Sequence, residues 1–213
     1  IFFRSFFFAS VEWSSDKTHS LWVVAMAGYT ISGALKEIAD GSCSRIDLSN
    51  CELNDDDVER LCGALADNST VTFLSLSGNG IGAEAAKFIG HMLKSNKGIT
   101  TLDLNVNNIG DDGALFLAQA LRENDTLAEL FLYGNQISVV GDNHLLYGLQ
   151  HNSAISFLDL QYEVGLSDSA VQDNIQKRVK ENLKDCLGDS CDNVSFMLEQ
   201  LALMEQADAL VPA

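Results

Sequence analysis

The sequence predicts an α/β solenoid, in which each repeated unit contributes one short parallel strand and one helix. The main observation is a pair of Leu or Ile residues that recurs every 28 positions, namely Ile46 and Leu48, Leu74 and Leu76, Leu102 and Leu104, Leu130 and Leu132, and Leu158 and Leu160. A second series at the same spacing consists of Asn68, Asn96, Asn124 and Asn152. A fixed period of this length is typical of an array in which no unit buries its apolar face alone.

Each unit is predicted to begin with a strand. In the unit from 71 to 98, Leu74 and Leu76 alternate with Phe73 and Ser75, which is the two-residue period of a strand with one buried face. An asparagine follows the strand in three units, as Asn79, Asn107 and Asn135. A buried amide at this point can satisfy backbone groups that are freed as the chain leaves the strand.

The second half of each unit is predicted to be helical. In the unit from 99 to 126, Ile109 supplies an apolar plug and Gly110 a flexible turn. The apolar stripe that follows at helical spacing consists of Ala114, Leu117, Ala118 and Leu121. We expect the small residues of this segment, which are Gly113, Ala114 and Ala118, to let the helix sit close to its sheet.

The units 71–98, 99–126 and 127–154 resemble the leucine-rich repeat, LxxLxLxxNxI followed by an amphipathic helix, in its long ribonuclease-inhibitor-like form. The series begins at residue 43, where Cys51 stands in the place of the later asparagines. It ends near residue 166 with Glu163 in that place. The resemblance implies a right-handed horseshoe of about five units, with strands on the concave face and helices on the convex face.

These patterns divide the chain into four parts. Residues 1–25 are predicted to be a leader that is not part of the fold, and Met26 reads as the natural start. Residues 26–42 are predicted to form an N-terminal cap, 43–166 the leucine-rich repeats, and 167–213 a C-terminal helical cap. A secretory signal before residue 26 is the alternative, although its apolar runs are short.

The C-terminal part is predicted to contain two helices. The first places Val171, Ile175, Val179 and Leu183 at four-residue spacing, and we expect it to cover the open end of the solenoid. The second begins near residue 194 and has a wide face of Met and Leu. It either completes the cap or docks onto a partner helix.

The acidic composition bears on the class of partner. The net charge is −17, and residues 43–166 contain 17 acidic and 6 basic residues. This balance disfavours nucleic acid and anionic membranes, and it favours a basic partner or serves solubility alone. We expect a monomer without a cofactor or metal.

The five cysteines fit a reducing compartment. Cys43, Cys51 and Cys62 fall at core-facing repeat positions, where a thiol behaves as a small hydrophobe. Cys186 and Cys191 are close in sequence, but no second pair completes a zinc site, and two free thiols are the expected state. The sequence therefore favours a cytoplasmic protein.

The predicted working surface is the concave face, where strand residues that do not enter the core form rows across the units. These rows predict a partner-binding site of Phe73, Asp103, Glu129, Phe131, Tyr133, Phe157, Asp159 and Tyr162. Within it, Phe131, Tyr133, Phe157 and Tyr162 are expected to form one aromatic patch, because strands lie about 4.8 Å apart. Exposed aromatic side chains with flanking charge are typical of interface hot spots. The alternative is that these aromatics pack against edge residues or are covered by the C-terminal helices.

The function predicted from these features is a non-catalytic protein-binding scaffold, such as the repeat modules of NOD-like receptors. No nucleophile, base or phosphate-loop motif is recognisable: the glycines of 77–82 lack the lysine of a phosphate loop, and Asp55, Asp56 and Asp57 suit a helix start rather than a calcium loop. Two alternatives remain open. One is a regulator of a small GTPase similar to the Ran GTPase-activating protein, and the other is a tropomodulin-like actin-binding domain.

Overall fold

The computed structural model describes residues 30–160 and 169–187. Helices and strands alternate along the chain: α1 Ile31–Asp40, β1 Arg45–Asp47, α2 Asp55–Leu65, β2 Phe73–Ser75, α3 Ala83–Ser95, β3 Thr101–Asp103, α4 Gly110–Leu121, β4 Glu129–Phe131, α5 Val139–Leu149, β5 Phe157–Asp159 and α6 Ser169–Leu187. The predicted leader, Met26 and the predicted second C-terminal helix lie outside the described residues.

The five strands form one parallel sheet in the order β1-β2-β3-β4-β5. Every strand is paired with the next at an offset of 28 residues, so that Leu74 lies opposite Leu102 and Leu102 lies opposite Leu130. The predicted repeat length therefore equals the offset in sequence between paired residues of neighbouring strands. This arrangement confirms the predicted α/β solenoid.

The core lies between the sheet and the helices. The inward leucines Leu74, Leu102 and Leu130 are fully buried, as are Leu117 and Leu121 on α4. A helix is about 10 Å wide with its side chains, whereas adjacent strands are about 4.8 Å apart. Stacking one helix and one strand per unit therefore bends the array, with the strands on the concave face and the helices on the convex face.

Buried asparagines hold successive units together where each strand ends. Nδ2 of Asn107 donates to the carbonyls of Leu76 and Leu104, at 3.1 and 2.9 Å. Its Oδ1 accepts from the backbone N–H groups of Asn79 and Ile81, both at 3.0 Å. Asn79 and Asn135 repeat the donor pattern one unit before and one unit after. The predicted role of these amides is confirmed.

A second asparagine ladder runs where each helix ends. Nδ2 of Asn152 donates to the carbonyls of Leu121 and Asn124, at 2.7 and 2.9 Å. Its Oδ1 accepts from the N–H groups of Ala154 and Ile155. Asn96 and Asn124 make the same set of contacts in their own units. Each amide thus ties its own loop to the helix end and loop of the unit before.

The small residues of the helices set the helix-to-helix distance. An added Cβ at Gly113 would lie 2.5 Å from Cγ2 of Ile109 and 3.1 Å from Cβ of Ala86 on α3. An added Cβ at Gly148 would lie 2.6 Å from the carbonyl oxygen of Ala118 on α4. These residues let neighbouring helices approach each other. The expectation that the small residues of 99–126 bring their helix close to the sheet stays a prediction.

The two end helices pack on the array. α1 starts at a Thr30 cap, ends at a left-handed Gly41, and buries Ala34 and Ile38. On α6, Ile175 and Val179 are buried in the core.

Candidate protein-binding face

Two rows of side chains cross the concave face, because each strand residue lies opposite the residue 28 positions later. The first row is Arg45, Phe73, Thr101, Glu129 and Phe157. The second row is Asp47, Ser75, Asp103, Phe131 and Asp159. The inward residue between the two rows, such as Leu130 in β4, is buried. The two rows therefore share one face and form a surface whose composition changes along the array.

The aromatic pair, Phe131 and Phe157, lies at the C-terminal end of these rows. The two ring centroids are 5.2 Å apart with an angle of 44° between the planes, which is a favourable tilted contact. Both side chains are half-buried, and Tyr133 follows Phe131 on the same side with 44% of its surface exposed. The structure thus brings Phe131 and Phe157 into contact, with Tyr133 two residues further along the chain, while Tyr162 lies outside the described residues.

Carboxylates flank the aromatic pair. Asp103 and Asp159 lie opposite Phe131 on the two neighbouring strands, and Glu129 lies opposite Phe157. Asp103 accepts from Ser75 Oγ at 3.1 Å and from the backbone N–H of Asn105 at 3.0 Å. Oε2 of Glu129 accepts from Thr101 Oγ1 at 3.0 Å. Within the described part of the chain, the hydrogen-bond donors to Asp103 and Glu129 are therefore neutral.

Phe73 lies apart from the other predicted aromatics. It is in the same row as Phe157, but Thr101 and Glu129 lie between them. The guanidinium carbon of Arg45 lies 3.4 Å from the centroid of the Phe73 ring, in a cation–π contact. At the N-terminal end of the face, the Arg45 guanidinium therefore covers the Phe73 ring.

The N-terminal half of the second row is polar and internally hydrogen-bonded. Ser49 Oγ lies 2.7 Å from Asp47 Oδ1 and 2.7 Å from Ser75 Oγ, which in turn donates to Asp103. Ser75, which the row pattern placed on the open face, is only 2% exposed. That expectation was wrong, because a short side chain between larger neighbours is covered by them.

Sequence reasoning did not include Val106 in the site. It is 57% exposed and adopts a left-handed backbone conformation, with φ of 55°. The same place in the other units holds Asn50, Gly78 and Gly134, which suit positive φ. The N–H of Val106 donates to the carbonyl of Tyr133 at 2.7 Å, so the two residues are neighbours on adjacent units. A β-branched residue in a column of Gly and Asn was the signal that could have identified it.

Cys43 and Cys62 are free thiols, and burial raises the pKa of Cys62 to about 12. No three His, Cys, Asp or Glu side chains in the described ranges are grouped to hold a metal ion. Among the helices described, none has the length and apolarity needed to cross a bilayer.

Comparisons with known proteins agree with this geometry. The family model described as Leucine Rich repeat matches residues 67–90 and 95–118. The fold is a leucine-rich-repeat solenoid. The leucine-rich-repeat fold is shared with a solved structure described as Leiomodin-1 Actin-Binding Site 2, with 23% identity and a TM-score of 0.66. That match covers 86% of this chain and 99% of the leiomodin chain.

A second solved structure with this leucine-rich-repeat fold is the tropomodulin C-terminal domain of Caenorhabditis elegans. Its sequence identity is 10% and its TM-score is 0.65, over 74% of this chain and 96% of the tropomodulin chain. At these identities the likeness concerns the fold. A search of the curated proteins finds no match to this sequence.

Proposed function

We propose that the protein is a non-catalytic scaffold that binds a protein partner on its concave face. The observation that carries this proposal is the contact between Phe131 and Phe157 in a half-buried position between carboxylates. Large aromatic surfaces with a polar surround supply most of the binding energy at protein interfaces. Phe131, Tyr133 and Phe157 are the proposed anchors, and Phe73 and Tyr162 stay predictions from the sequence.

Charge sets the kind of partner. The chain carries a net charge of −17, and Asp103, Glu129 and Asp159 place acid next to the proposed anchors. A partner with a basic or apolar surface is therefore favoured over nucleic acid or an anionic membrane. We further propose a monomeric, cytoplasmic protein whose units, at 28 residues, are of the ribonuclease-inhibitor-like type, with caps at 26–42 and 167–213.

Actin binding is the second candidate. It is supported by the names of the two solved structures described above, one of which is an actin-binding site of leiomodin and the other a domain of tropomodulin. The alignment covers nearly the whole of both domains. Regulation of a small GTPase stays a prediction from the sequence.

The test is an affinity capture with the full chain, compared with the double variant Phe131→Ala/Tyr133→Ala. Tyr147→Ala is the matched control, because Tyr147 is 53% exposed on α5 and lies on the convex side. A partner retained by the native chain and by Tyr147→Ala, but lost by the double variant, supports the concave face. Equal recovery by all three contradicts it. Co-sedimentation of the native chain with filamentous actin tests the second candidate separately.

A further inference from the structure

We propose that the group recognised at this face is the guanidinium of an arginine on the partner, stacked on the aromatic pair and hydrogen-bonded by the flanking carboxylates. This inference rests on the proposed concave-face function and names the chemistry of its central contact. It follows from a comparison of the two ends of the first row.

The N-terminal end of the row contains a complete version of the contact. Phe73 lies opposite Arg45 on the preceding strand, and the Arg45 guanidinium carbon is 3.4 Å from the centroid of the Phe73 ring. Phe157 occupies the corresponding position three units later. The residue opposite Phe157 on its preceding strand is Glu129, so an acid stands where the first unit has the cation. Among the described residues, this end therefore has the ring and a counter-charge but no cation at the place of Arg45, and we infer that a partner supplies it.

The carboxylates suit an incoming cation. Asp103 and Asp159 lie on the strands on either side of Phe131, about 4.8 Å away by strand spacing. The donors that Asp103 and Glu129 receive within the described part of the chain are a serine, a threonine and a backbone amide, none of which carries charge. A charge-assisted hydrogen bond is roughly twice as strong as a neutral one. A cationic ligand at this place gains such bonds from groups that are already held in position.

Arginine fits this arrangement better than lysine. A guanidinium is planar, so its face can stack on an aromatic ring while the N–H groups at its edge donate to carboxylates in the ring's surroundings. An ammonium group is a strongly hydrated point charge and cannot do both with the same geometry. The Phe131 and Phe157 rings are in contact and only half-buried, so together they offer an aromatic surface on which one flat group can stack.

Apolar contacts beside the pair extend the site. Val106 and Tyr133 are 57% and 44% exposed and are joined by the hydrogen bond between the Val106 N–H and the Tyr133 carbonyl. They lie beyond Phe131 in the direction of the strands. The ligand would thus carry an apolar residue near this arginine that contacts Val106 and Tyr133.

The experiment uses a random dodecapeptide library on phage as the probe, selected on the full native chain. Parallel selections use Asp103→Asn/Glu129→Gln, which keeps the side-chain volumes, and Phe131→Ala/Phe157→Ala, with thermal melts to show that both variants are folded. Peptides that bind the native chain are then synthesised with each arginine replaced by citrulline or by lysine. Citrulline keeps the shape of arginine and removes its charge.

We expect the native chain to select peptides that contain arginine with an apolar residue near it, and both variants to lose them. Replacing the central arginine by citrulline should weaken binding at least about tenfold, and replacement by lysine should weaken it severalfold. Peptides that need Phe131 and Phe157 but contain no such arginine would overturn the arginine inference and leave the concave-face function standing. Peptides that bind the native chain and both variants equally would overturn both, and occupation of the face by this chain's own residues 188–213 would give that result.

Discussion

Arg178 on α6 donates to the carbonyl of Asn152, and it thereby continues the asparagine ladder beyond its last member. Asn152 donates to the carbonyls of Leu121 and Asn124, and the corresponding carbonyls one unit later are those of Leu149 and Asn152. Arg178 Nε donates to the first and its terminal NH2 nitrogen donates to the second, both at 3.1 Å. The Arg178 guanidinium on α6 thus takes the place of the asparagine amide that a further unit would supply. The carbonyls of Leu149 and Asn152 therefore have their donors.

Arg178→Ala should lower the free energy of unfolding by about 1–3 kcal/mol, because it leaves two carbonyls at the end of the solenoid without their donors. Lys184→Ala on the exposed side of the same helix is the control and should change little. Urea denaturation followed by circular dichroism measures both. Equal midpoints for Arg178→Ala and Lys184→Ala would show that the ladder does not need this donor.

Val106→Asn should raise stability by about 0.5–1 kcal/mol, because a left-handed backbone costs a β-branched residue more than it costs Asn. Asn50 holds the same φ of 55° in an earlier unit. The same substitution should weaken partner binding, since it removes an exposed apolar contact beside Tyr133. Thermal melts and binding measurements on one preparation test both effects, and a lower melting temperature would contradict the account of the strain.

Asp111 should make stability depend on pH. Its burial raises the pKa of the carboxyl, but hydrogen bonds from the hydroxyl and backbone of Ser138 and from the N–H of Gly141 outweigh burial and hold that pKa below its ordinary value of 3.8. A lowered folded-state pKa stabilises the fold above the unfolded value, and this contribution is lost as the pH falls through the folded value. Side-chain exposure to solvent limits its size.

The stability difference between the native chain and Asp111→Asn should accordingly be larger at pH 7 than at pH 3. Denaturant midpoints at the two pH values give the comparison, and Asp112→Asn, on the exposed neighbour, controls for general charge effects. A difference that stays constant between pH 7 and pH 3 would contradict the role of Asp111 as the carboxylate that accepts hydrogen bonds from Ser138 and Gly141.

The thiols should differ in reactivity. Cys62 is 5% exposed and burial raises its pKa to about 12, whereas Cys51 is half-buried. Because the thiolate is the reactive species, iodoacetamide at pH 8 should label Cys51 well before Cys62 in the folded protein. Peptide mass mapping over time measures the two rates, and urea should equalise them. Equal rates without urea would mean that the helix carrying Cys62 opens readily.

Features that recur in every unit were predictable from the sequence, whereas features confined to one unit were mostly not. The register of the sheet and the two asparagine ladders follow from identical spacing in every unit, so one pattern reports all of them. Arg178 escaped notice because it lies 26 residues after Asn152 and on a helix, where no repeat spacing marks it. Ser75 and Val106 depend on the sizes and backbone conformations of neighbours in adjacent units, which alternation along one strand does not encode.

The aromatic part of the site was predictable only in part. Strand spacing correctly brought Phe131 and Phe157 together, because they are neighbours in adjacent units. The grouping did not reveal that Phe73 is covered by Arg45, because that contact depends on a side-chain rotamer and not on register. The repeat spacing already places Arg45 and Glu129 in one row, and the structure adds the contact of Arg45 with the Phe73 ring.

The most direct test of the central claim is the affinity of the captured protein partner for the native chain, for Phe131→Ala/Tyr133→Ala and for Tyr147→Ala, measured by calorimetric titration. We predict that the double variant binds at least about 30-fold more weakly, as expected for the loss of a hot spot, with an unchanged melt, and that Tyr147→Ala binds as the native chain does. Equal affinity for the native chain and the double variant would contradict the concave face as the binding surface.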